Sequence, residues 1–155
     1  MRLAVTLAIV IQSSLLASEN TFLVSEHDQV DFICRSYELK CEDTWTPNSL
    51  DRREYETAIR EKLTKEKKET TDQWTLDSLC YIEEHLQKYT IEYAGIIIDK
   101  KRLIFCNMHL LGMLDPNREQ KNQFTMIFDG GASVVQAIYN PSEKSIQLLT
   151  WNGEA

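Results

Sequence analysis

Four cysteines, three histidines and a few acids set in apolar segments are the residues of this 155-residue chain whose types could do chemistry. Cys34, Cys41, Cys80 and Cys106 are spaced seven, 39 and 26 residues apart. A structural zinc site needs cysteine pairs about two to four residues apart, so this spacing argues for disulfides rather than for metal. Four cysteines permit three connectivities, and the sequence does not choose among them. Cys34–Cys41 with Cys80–Cys106 is the preferred pairing, the second bridge tying a helix to a strand. His27, His85 and His109 form no close metal spacing such as H-E-x-x-H. Glu83-Glu84-His85 reads as the wet side of a helix. Cys106 and His109, three apart in a strand, point to opposite faces and do not make a nucleophile with its base.

Asp129-Gly130-Gly131 could turn backbone N–H groups toward an anion. No helix follows it, however, so the strand–glycine–helix context of the phosphate-binding loops is missing, and a tight hairpin turn is expected. The acid–base candidates that remain are Asp129, His109 and Glu92. To act, they need a pocket between the helices and the concave face of a sheet. Nothing in the sequence calls for a cofactor or a metal. Trp45, Trp74 and Trp151 are expected as core anchors.

The elements that must position these residues follow from the hydrophobic pattern. Residues 1–17 place Arg2 before an apolar run of about nine residues and end on small Ala17, the pattern of a cleaved secretory signal and too short to span a bilayer. Residues 18–155, roughly 138 in number, then form a single domain. An exported chain keeps its cysteines oxidised. The net charge is −7, which repels phosphate backbones and suits a basic protein partner. The charge run over residues 52–69 alternates in sign, as a solvated helix face does.

Residues 25–39 carry Val30, Ile33, Cys34 and Tyr37 at helical spacing, with Ser25 able to cap the first turn. A second helix is expected after Thr46-Pro47, read as N-cap and first turn, running to about Lys67. Its narrow apolar stripe is Leu50, Tyr55, Ala58, Ile59 and Leu63. A third follows the break at residues 70–75, with Leu76, Leu79, Cys80, Ile82, Leu86 and Tyr89 on one face. After Tyr89 the period changes, and residues 91–98, 103–109, 123–128, 133–139 and 145–151 read as strands. Asp115-Pro116-Asn117 marks a chain reversal between the second and third of them. Helices first and strands second imply α+β: two to three helices on one face of a curved antiparallel sheet of about five strands.

YAGIIIDKKRLIFCN (residues 93–107) and FDGGASVVQAIYNPSEKSIQLLTWNGEA (residues 128–155) resemble a loose group of small exported bacterial proteins of unknown function. The shared features are a central hairpin, an Asp-Gly-Gly turn, an aromatic-rich last hairpin and a terminal Asn-Gly-x-Ala. In arrangement the chain also resembles the cystatin-like and NTF2-like shapes, although Ser133-Val134-Val135-Gln136-Ala137 is a poor match to the inhibitory cystatin loop. These likenesses imply a shape and no chemistry. The expectation is an exported, soluble interaction module without catalysis, such as an inhibitor or immunity-like binder. The alternative is a small-ligand binder or a small enzyme.

Overall fold

The computed structural model describes residues 21–110 and 122–152 of the chain. The signal segment (residues 1–17), the turn at Asp115-Pro116-Asn117 and the terminal Gly153-Glu154-Ala155 lie outside the described residues. In chain order come β1 (Thr21–Leu23), α1 (His27–Ser36), β2 (Asp43–Trp45), α2 (Ser49–Glu69), α3 (Gln73–His85), β3 (Tyr89–Ile98), β4 (Lys101–Leu110), β5 (Val134–Asn140) and β6 (Ser145–Trp151). Six strands form one mixed, open sheet in the order β1-β3-β4-β5-β6, with β2 also paired to β3. The chain is α+β, with its helices ahead of the long strands.

The helices divide between the two faces of the sheet instead of sharing one. Tyr55, Ala58, Ile59 and Leu63 of α2 and Leu79 and Ile82 of α3 pack on Ile104, Cys106, Met108, Val135, Ala137 and Tyr139. On the opposite face Val30, Ile33 and Cys34 of α1 meet Ala94, Ile96, Leu103, Phe105 and Ile138. The physical reason lies in the central strands. Every residue of β5 is buried, and β3 and β4 are buried almost end to end, so neither face of the sheet could be left to water.

The helix starts follow local hydrogen bonding more than the nearest cap-type residue. Asn48, not Thr46, caps α2: its side chain accepts from the N–H groups of Leu50 and Asp51, while Asp51 accepts from Asn48, a complete capping box. Leu50 consequently lies in the first turn and is 59 % exposed. Asp72 caps α3 through the Thr75 N–H. The helix α1 has no side-chain cap: its N-cap position is Glu26, not Ser25, and the Ser25 hydroxyl instead accepts from Asn122 Nδ2 at 3.1 Å, a residue 97 positions away.

The expected strand at residues 123–128 is irregular chain. The Asp-Gly-Gly sequence accordingly closes no hairpin; Gly131, at φ 50°, opens a 3-10 turn (Gly131–Ser133) leading into β5. Two short strands instead pair with β3 and extend the sheet at its other end. β1 runs parallel to β3 and β2 antiparallel to it, so the sheet is not purely antiparallel. Each is three residues long, too short to leave a periodic signal. β2 can dock only because Gly95 lacks a Cβ, which would lie 2.2 Å from the Trp45 carbonyl oxygen. The β3–β4 hairpin turns on Asp99 and Lys100, both at positive φ as a two-residue I′ turn demands.

Cys34 and Cys41 are joined in a disulfide that closes the loop after α1. The expected second bridge is absent: Cys80 is exposed on α3, whereas Cys106 is buried on β4 beneath α2. The helix register that buries Leu79 and Ile82 turns Cys80 outward. In the native protein one thiol, Cys80, should therefore react promptly with a thiol reagent, and a second, Cys106, only on unfolding. Replacing both Cys34 and Cys41 by Ser should cost about 2–3 kcal/mol in chemical denaturation. Native protein with no reactive thiol would contradict the assignment.

Candidate functional site

The sheet register sets Glu92 of β3 opposite Asn107 of β4, and Asn107 opposite Gln136 of β5. A row of polar side chains thus crosses the α1 face of three strands. His109, two residues on from Asn107, joins the row at its end. Residues 122–128 cross over it, with Phe124 buried edge-on against Phe105 at 5.5 Å and Thr125 lying over Glu92. Glu92, Asn107, His109, Thr125 and Gln136 are all buried.

Glu92 is engaged by four donors. Its carboxylate accepts from the Thr125 N–H at 2.7 Å, the Thr125 hydroxyl at 2.5 Å, Asn107 Nδ2 at 3.0 Å and His109 Nε2 at 3.3 Å. Asn107 Nδ2 also donates to the Thr125 carbonyl at 2.8 Å, and its Oδ1 faces Gln136 Nε2 at 3.4 Å. Burial by itself would raise the proton affinity of Glu92. The hydrogen bonds from His109, Thr125 and Asn107 outweigh that cost and hold the carboxyl below the ordinary glutamate value.

The arrangement brings together two of the three acid–base candidates, Glu92 and His109. Asp129 sits on the exposed turn and bonds to neither. Chemically, the pair is spent. A carboxylate surrounded by donors and held ionised is a poor general acid, and its lone pairs are already occupied. The His109 side chain is 1 % exposed, so a substrate has no approach to the ring among the described residues. With Nε2 facing Glu92, His109 Nδ1 is left buried without a partner among the described residues. The network reads as a pin holding an irregular segment onto the sheet. Asn107, Thr125 and Gln136 were not singled out from the sequence. The available signal was polar residues at alternate positions, Asn107 and His109, inside an otherwise apolar strand.

The other histidines stand apart. His27 lies 3.4 Å from Asp31 on the exposed side of α1, and His85 stacks on Tyr81 at 4.3 Å. Among the described residues no three of His, Cys, Asp and Glu come together as metal ligands. No described helix is long and apolar enough to cross a membrane.

The most open part of the sheet is β6. It ends the strand order, so no described strand pairs with its outer edge. Its sequence, SIQLLTW, contains no charge and no proline, the devices that usually guard an edge. A register shift against β5, where Ile138 faces Leu148 and Tyr139 faces Ile146, places an extra residue at Gln147 and leaves residues 148–151 regular. Apolar side chains flank this stretch. Leu148 is 39 % and Trp74 44 % exposed, Trp74 rests on Trp151 at 6.0 Å, and Phe128, 77 % exposed, follows Ile127, whose carbonyl accepts from Asn152 Nδ2. Trp74 is thus no core anchor: it covers the end of β6.

Substituting Glu92→Gln should lower stability at neutral pH by about 2–3 kcal/mol, because a charged acceptor of several hydrogen bonds is lost. The folded-state pKa lies below the unfolded value, so the contribution is complete above the ordinary glutamate range and drains away as pH falls through the lowered folded value. Denaturation curves of the wild type and the variant should therefore converge in acid. A gap that stays constant from neutral to acid pH would refute this role for the carboxylate.

Compared with models of protein families, with curated proteins and with solved structures, the chain matches none of them.

Proposed function

We propose that this chain is an exported interaction module that holds an extended segment of another protein along the free edge of β6. The observation carrying the reading is that edge: a strand with no charged residue, unpaired on its outer side among the described residues and flanked by Leu148, Trp74 and Trp151. Strand addition uses such a template, with main-chain hydrogen bonds supplying affinity and alternate side chains supplying selectivity. The net charge of −7 favours a basic partner and disfavours nucleic acid. The signal-like first 17 residues and the Cys34–Cys41 disulfide support export. An inhibitor or immunity-like binder is the concrete form this takes. The saturation of Glu92 counts against a catalytic role for the Glu92–His109 pair.

Affinity capture with the oxidised protein from exporting cells should recover one stoichiometric basic protein, released as salt is raised. Hydrogen exchange in that complex should show new protection over residues 148–151. Leu148→Lys, which places a guarding charge on the edge, should abolish capture while the fold is retained. Equal capture by the wild type and the variant, or protection confined to another element, would sink the proposal.

A further inference from the structure

The hydrogen bonds between β5 and β6 fix which groups of β6 face outward. The Asn152 N–H donates to the Val134 carbonyl at 3.2 Å, one step beyond the Val135–Trp151 pair. Opposite residues in an antiparallel ladder alternate between exchanging both hydrogen bonds and exchanging none. Thr150, opposite Gln136, and Leu148, opposite Ile138, therefore also turn their main-chain groups toward β5. Those of Leu149 and Trp151 point away from it, so the edge offers N–H and C=O groups at two positions with Thr150 between them.

The side chains follow their own alternation. Leu149 and Trp151 pack with the α2 and α3 layer, which leaves Leu148 and Thr150 on the α1 face. Thr150 is half-buried and lies opposite Gln136, so the row from Glu92 through Asn107 and Gln136 reaches the edge at a hydroxyl. A strand that fits this edge needs main-chain groups two residues apart, apolar side chains at those two positions and a hydroxyl between them. Leu149-Thr150-Trp151 is itself such a strand. Run antiparallel to its own copy with Thr150 on a two-fold axis, it sets Leu149 opposite the second copy's Trp151, and Trp151 opposite the second copy's Leu149. Each of those two pairs exchanges both main-chain hydrogen bonds. Thr150 meets its own equivalent, a favourable cross-strand pair. β6 carries no charged residue, so two chains of net charge −7 bring no like charges together at the seam.

We propose that β6 pairs with β6 of a second copy of this chain about a two-fold axis at Thr150, joining the two sheets into one. Such an isologous contact uses up both edges and closes at the dimer. It supplies the cover that an edge without charge or proline otherwise lacks. The contact is small, so the copies separate on dilution and expose the edge again. The pairing does not rest on the reading of β6 as a site for another protein, but the two share the edge, and a segment of another protein must displace the second copy.

The test uses the exported, oxidised protein, purified and alone, in sedimentation equilibrium up to about 1 mM. The mass should rise with concentration from monomer to dimer and no further. Equal net charges oppose pairing, so added salt should tighten the dimer, whereas salt releases a basic partner. The opposite salt responses keep failure here distinct from failure of capture. In a Cys80→Ser background, which removes the exposed thiol, Thr150→Cys should form an intermolecular disulfide under mild oxidation, because position 150 is the one in β6 that faces itself across the axis. Gln147→Cys in the same background, three residues off the axis, should not. Thr150→Lys should be monomeric throughout the range, with circular dichroism and thermal unfolding reporting an intact fold. A wild type that stays monomeric to about 1 mM, a dimer lost with Cys80→Ser alone or weakened by salt, or equal cross-linking from positions 147 and 150 would overturn the proposal.

Discussion

A buried carboxylate is tolerable only where donors converge on it, and that requirement at Glu92 organises the α1 side of this protein. Four donors come from β4 and from a single residue of the irregular segment, Thr125, whose N–H and hydroxyl are both used. Once Thr125 is fixed over β3, Phe124 is set against Phe105. At the start of the same segment Asn122 reaches the Ser25 N–H and hydroxyl and the Glu26 carboxylate, at the entry to α1. A polar contact in the sheet thereby sets where a helix begins and how one apolar face is closed.

The opposite face is governed by area rather than by hydrogen bonds. α2 and α3 bury a continuous aliphatic and aromatic layer, in which Tyr55 and Tyr139 meet edge-on at 6.0 Å. Polar contacts there lie mainly at the rim: Lys144 pairs with Glu54, Lys67 with Glu83, and the Tyr89 hydroxyl donates to the Ala132 carbonyl. Such rim ion pairs contribute little stability, so apolar burial holds this layer together. The asymmetry between the faces has a functional consequence. Both are covered, and among the described residues what remains open for a partner is the edge of β6.

The β6 edge offers main-chain hydrogen bonds and apolar cover, a surface for an extended chain.

The sequence alone determined the α+β class, the three helices, the two central hairpin strands and the last hairpin, since each is a run of seven or more patterned residues set off by a polar or turn-forming stretch. It also marked Glu92 and His109 as polar residues worth testing. Only the tertiary structure decided that α1 takes the other face, that residues 123–128 stay irregular, that β1 and β2 exist, and that Cys80 and Cys106 remain apart. The physical reason is common to all four. Periodicity reports which side of an element is apolar, but not what covers it. Three-residue strands, the Asn107–Thr125–Glu92 network and the separation of two thiols arise from contacts between residues far apart in the chain, and no local pattern encodes them.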